Sequence, residues 1–164
     1  MLKRFVPCLL SLALLTVGCG GDDEPVMQTG GRAPEFTLAS LNGDEVSSKS
    51  LEGEIVILNF WATWCQPCLK EIPELKELAA EKTARVVGVA LDKDGARVVQ
   101  PFVDRHEINY SILIGTEEIF QRFNGFGIPH TILLDPEYNV AKVYRGRVTK
   151  AALEKDIEAI RERT

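Results

Sequence analysis

A short apolar run, Ile55 to Phe60, leads almost at once into Cys65-Gln66-Pro67-Cys68, and the residues from Gln66 to Lys82 follow with helical periodicity. A run this short and this uniformly apolar is a strand buried on both faces. Two cysteines so close in sequence are poor staples, because the loop they close restricts the unfolded chain very little. At a strand-to-helix junction the C-x-x-C spacing is a redox signature. The first cysteine sits where unpaired helix N–H groups favour negative charge, and so favour the nucleophilic thiolate. The second, one turn further in, is near enough to close a disulfide. Pro67 suits the first helical turn, where its missing N–H costs nothing. The competing reading, half of a zinc site, needs more cysteines. Only Cys8 and Cys19 remain, both in the N-terminal segment.

That segment is expected to lie outside the folded domain. Lys3 and Arg4 precede an apolar stretch from Phe5 to Val17, too short to span a membrane. Residues 1–18 therefore read as a signal peptide. Leu15-Thr16-Val17-Gly18-Cys19 resembles a lipoprotein processing site, with Thr16 where that pattern usually has leucine, so Cys19 is the expected lipidation site. Residues 19–31 contain Gly20-Gly21-Asp22-Asp23-Glu24 and Gly30-Gly31 and read as a flexible tether. A dozen such residues reach roughly 40 Å. The domain is expected over residues 32–164. Losing Lys3 and Arg4 takes the formal charge from −5 to −7. A chain this acidic, without basic clusters, is not built for nucleic acid.

Asn42-Gly43, flanked by Phe36 to Leu41 and by Glu45-Val46, predicts a hairpin. Ala84 to Leu91 is a second buried strand, and Ser111 to Ile114, His130 to Leu134 and Val140 to Tyr144 are three more. Helices are expected over Gln66 to Lys82 with a kink at Pro73, over Ala96 to His106 with a break or bend at Pro101, and over Glu117 to Phe123. A last helix, capped by Thr149, carries a stripe of Leu153, Ile157 and Ile160. The order predicts an α/β domain, a mixed β-sheet flanked by helices on both faces.

Asn59-Phe60-Trp61-Ala62-Thr63-Trp64-Cys65-Gln66-Pro67-Cys68 resembles the active-site segment of thioredoxin-like proteins. Ala33-Pro34-Glu35-Phe36-Thr37-Leu38 is similar to the leading segment of their TlpA/ResA-type branch, membrane-anchored extracytoplasmic thiol–disulfide oxidoreductases. The resemblance runs from about Gly31 to the final helix. It implies a thioredoxin fold with an N-terminal β-hairpin and a central insert, Cys65 as attacking thiol and Cys68 as resolving thiol. It implies a cis-proline facing the dithiol, matched by Gly127-Ile128-Pro129, with Ile128 offering its backbone to substrate. Trp64 is expected to shield Cys65 and meet a partner, whereas Trp61 is expected in the core.

Three positions qualify the resemblance. Thioredoxins proper carry a buried acid where this chain has Asn59, which exchanges no proton. Glu71 is the expected replacement: it lies one turn beyond Cys68 on the apolar helix face of Ile72, Leu75 and Leu78, and the branch carries a glutamate there. Its plainer reading is a first-turn glutamate turned to solvent. His130 stands where the family usually has threonine, and the favoured reading turns its side chain away from the cysteines. His106 reads as solvated surface.

The expected activity is dithiol–disulfide exchange with protein disulfides outside the cytoplasm, with no dissociable cofactor. The branch implies a reductant, for example in cytochrome c maturation, fed by a membrane redox donor. A monomer is expected. Two other classes share this topology. A copper carrier would use Cys65, Cys68 and His130, but such carriers normally place three residues between the cysteines. A thiol peroxidase would need a lone cysteine after a Pro/Thr-containing loop, which this chain lacks.

Overall fold

The computed structural model describes residues 27–163. The signal peptide, Cys19 and most of the expected tether lie outside them. The elements run β1 (Thr37–Ala39), β2 (Glu45–Ser47), a 3-10 turn (Ser48–Leu51), β3 (Val56–Trp61), α1 (Gln66–Glu81), β4 (Arg85–Ala90), α2 (Ala96–His106), β5 (Ser111–Ile114), α3 (Glu117–Arg122), β6 (His130–Leu134), β7 (Val140–Arg145) and α4 (Lys150–Arg161). β1 and β2 form the hairpin, turning at Gly43, whose φ of 87° suits glycine.

The main sheet has the order β5-β4-β3-β6-β7. β3 pairs parallel with β4, and β4 with β5, while β6 lies antiparallel to β3 and β7 antiparallel to β6. This is a thioredoxin fold, and α2 with β5 forms the insert between β4 and α3. Every residue of β3 is buried, as its central place requires.

Strand alternation assigns the two faces. Val56, Leu58 and Phe60 of β3 join Ile132 and Leu134, Ile119 and Phe120 of α3, and Phe36 and Leu38 around the hairpin. On the other face, Ile57 meets Leu75 and Leu78 of α1 and Leu153, Ile157 and Ile160 of α4. Trp61 lies with Cys65, Cys68 and Ile72, closed by Val99 of α2. Thr149 caps α4 by accepting the Ala152 N–H.

Two sequence expectations need correction. Pro101 does not break α2, which runs unbroken from Ala96 to His106 with Pro101 exposed. Proline removes one hydrogen bond, to the residue four before it, and here that residue is Arg97 in the first turn. The domain also begins before residue 32. Met27 is buried, its carbonyl accepts the Asn124 side-chain amide at 2.6 Å, and Gly30 N–H donates to Val140 at 2.7 Å. Glycine-rich composition marked these residues as tether, yet glycine backbone pairs with a strand as well as any other.

Candidate active site

β3 ends by burying Trp61 and Ala62, and the chain then turns outward at Thr63 and Trp64. Asp92, just past β4, holds that turn: its carboxylate accepts the Thr63 N–H at 3.0 Å and the Thr63 hydroxyl at 2.5 Å. α1 starts on Cys65, whose sulfur caps the helix by accepting the Cys68 N–H at 3.3 Å. Cys65 and Cys68 are joined as a disulfide with Cα atoms 5.3 Å apart. In the reduced pair, this N–H and the helix dipole act on the Cys65 sulfur and stabilise its thiolate.

Glu71 is turned inward and is only 1% exposed, so the reading of a solvated first-turn glutamate fails. One oxygen accepts the Thr131 hydroxyl at 3.3 Å and the Val148 N–H at 3.4 Å. Asn59 donates to the same Thr131 hydroxyl at 2.8 Å, which makes a chain of Asn59, Thr131 and Glu71 beneath α1. The other carboxyl oxygen has no partner among the described residues. Burial outweighs these hydrogen bonds, and Glu71 is pushed up from the usual 4.5 to about 7.

The Ile128–Pro129 peptide is cis and leads directly into β6, with Ile128 packed against the cluster that holds both cysteines. Beside it opens a groove of about 680 Å³ lined by Trp64, Leu91, Phe126 and Ile128 among others. Trp64 is 66% exposed and Phe126 79%, large apolar side chains standing at one opening. Arg145 lies over the Phe126 ring at 5.1 Å.

His130 is buried on the other face. Thr131 points to Glu71, so its neighbour points to α3: the His130 Nε2 meets the Phe123 carbonyl at 2.9 Å and the ring packs on Phe60 and Phe120. Burial lowers its pKa. The structure does not bring His130 together with the cysteines, so the copper set of Cys65, Cys68 and His130 is not assembled. Trp61 is buried, as expected, and His106 is exposed, stacked on Phe102. Sequence reasoning missed Thr131, Asp92, Phe126 and the Val148 N–H. Phe126, an aromatic between Gly125 and Gly127, carried a readable signal; Asp92 and Val148 carried none.

The AhpC/TSA family model matches residues 29–152 of this chain. The chain belongs to this family. Within it, the chain is 32% identical to the thiol–disulfide oxidoreductase ResA of Halalkalibacterium halodurans, covering 97% of this chain and 96% of that one. It is 31% identical to the thioredoxin-like protein YneN of Bacillus subtilis, covering 96% and 99%. A thiol:disulfide interchange protein of the thioredoxin family from Chlorobium tepidum superposes with a TM-score of 0.70 at 30% identity, covering 79% of this chain and 95% of that one. This member of the AhpC/TSA family is thus a thioredoxin-like thiol–disulfide oxidoreductase, and Cys65 and Cys68 are its redox pair. No helix among the described residues is long and apolar enough to cross a membrane.

Proposed function

We propose that the chain reduces protein disulfides outside the cytoplasm, held to a membrane by a lipid on Cys19 and recharged as a monomer by a membrane dithiol donor. Maturation of cytochrome c is one process of this kind. The observation that carries the reading is the division of labour along the first turns of α1: a sulfur at the helix cap, a second sulfur one turn in, and a buried carboxyl one turn beyond that.

The Cys65 thiolate attacks one sulfur of the substrate disulfide, forming a mixed disulfide and releasing one substrate thiolate. Cys68 then gives its proton to the Glu71 carboxylate, which is half-ionised near neutral pH. The Cys68 thiolate attacks the Cys65 sulfur, breaks the mixed disulfide and releases the second substrate thiolate. Two electrons pass to the substrate, and the enzyme is left with the Cys65–Cys68 bond. Trp64 and the backbone of Ile128 before Pro129 receive an extended substrate segment beside Cys65.

The test is trapping. Cys68→Ser should accumulate mixed disulfides through Cys65, and Cys65→Ser should abolish exchange. A Cys68→Ser protein that captures no partner, together with an active Cys65→Ser protein, would reverse or remove the assignment.

A further inference from the structure

On the α1 side of the sheet, three buried side-chain atoms have no partner among the described residues: Glu71 Oε2, the Tyr110 hydroxyl and Trp61 Nε1. They share one neighbourhood. Asn59, which begins the hydrogen-bond chain to Glu71, is the register partner of Gly88 in β4. Trp61 and Tyr110 meet over that glycine: a Cβ placed there would lie 2.9 Å from Trp61 Nε1 and 3.2 Å from Tyr110 Cε2. Tyr110 packs against both the Leu75–Leu78 cluster and the cysteine cluster, and so stands on the seam between them. Burial, and secondarily the charge of the Glu71 carboxylate, raises the Tyr110 pKa. Tyr110 also lines the inner wall of an open cavity of about 910 Å³ at the β5 edge, beside Asn109, Ser111 and Arg85.

Resolution leaves a proton on Glu71, and that proton must reach solvent before the next cycle. Glu71 itself is only 1% exposed and gives the proton no open way out. We propose that Tyr110 is a positioning residue for this proton, its hydroxyl joined through internal water to Glu71 Oε2, so that the proton leaves towards the β5-edge cavity. Each member passes one proton on as it accepts one, with no net change in Tyr110 or the water. Buried polar atoms are costly when unpaired, and internal water is the usual partner of such atoms. Other groups facing Glu71 are Glu74 on its own helix, paired with Arg147 ahead of α4, the cysteine pair, and Asn59 and Thr131 from the sheet. The inference rests on Glu71 as proton acceptor.

The experiment is single-turnover oxidation of the reduced full-length protein by a peptide disulfide, across roughly pH 5 to 9. Wild type, Tyr110→Phe, Glu71→Gln and the double variant are compared. Tyr110→Phe keeps the ring packing and removes one donor from the water that supports the carboxylate. Its pH midpoint should rise by about half a unit or more, with resolution near neutrality slowed about threefold. In the double variant the Tyr110 change should add nothing to Glu71→Gln. A Tyr110→Phe profile superimposable on wild type would overturn the path while leaving Glu71 in place. A Tyr110 effect that persists without Glu71 would assign Tyr110 to packing alone. A Glu71→Gln profile identical to wild type would remove the acceptor itself, and the path with it.

Discussion

At the scale of single residues, the burial of Glu71 has a consequence that unfolding experiments can read. Folding raises its pKa from 4.5 to about 7. Between those values the folded protein holds a proton that the unfolded chain has lost, so stability falls as pH rises through this window. Above it the buried carboxylate costs about 3 kcal/mol. Glu71→Gln should therefore flatten the fall and leave the oxidised protein more stable than wild type near pH 8. Urea unfolding at about pH 5 and about pH 8 checks this; equal slopes with pH in both proteins would contradict it. Glu71 was legible because a lone carboxyl on an apolar helix face asks for a reason. Thr131 was not, since its contact with Glu71 depends on the pairing of β6 with β3 rather than on any local pattern. His130 was legible only as an ambiguity, settled by which of two adjacent β6 residues faces α1.

At the scale of elements, sequence patterning located the seven strands and four helices of the described residues, because each is strongly patterned and bounded by turn residues. It missed the 3-10 turn at Ser48–Leu51, which rests on Ser47 capping and the docking of Leu51 into the core. The break at Pro101, one of the two outcomes the sequence offered, does not occur, because the effect of a proline depends on its position within the helix. Gly88 in β4 is a position with little freedom, although nothing in the sequence singles it out. Its hydrogen lets Trp61, Tyr110 and Ile112 approach β4, and a methyl group there would come within 2.7 Å of Ile112 Cδ1. Gly88→Ala is expected to cost about 1–3 kcal/mol by overpacking. Thermal unfolding reads the loss, and an unchanged Tm would show that the Trp61 and Ile112 side chains yield freely.

At the scale of the whole molecule, the sequence expectation that remains to be tested is the anchor proposed at Cys19, which lies outside the described residues. Cys19→Ala should move the protein from the membrane fraction to the soluble extracytoplasmic fraction while purified protein keeps its exchange rate. Wild type found wholly in the soluble fraction would remove the anchor. Gly30 and Gly31 exchange backbone hydrogen bonds with Val140 where β7 begins, and Leu41 and Ser40 close on Ile112 and Leu113 along β5. One continuous strap thus meets both outer strands of the five-stranded sheet. A bare edge strand is a template to which any extended segment can add itself. Where its own polypeptide already bonds the start of β7 and the middle of β5, the sheet offers fewer bare backbone groups for such a segment to take up.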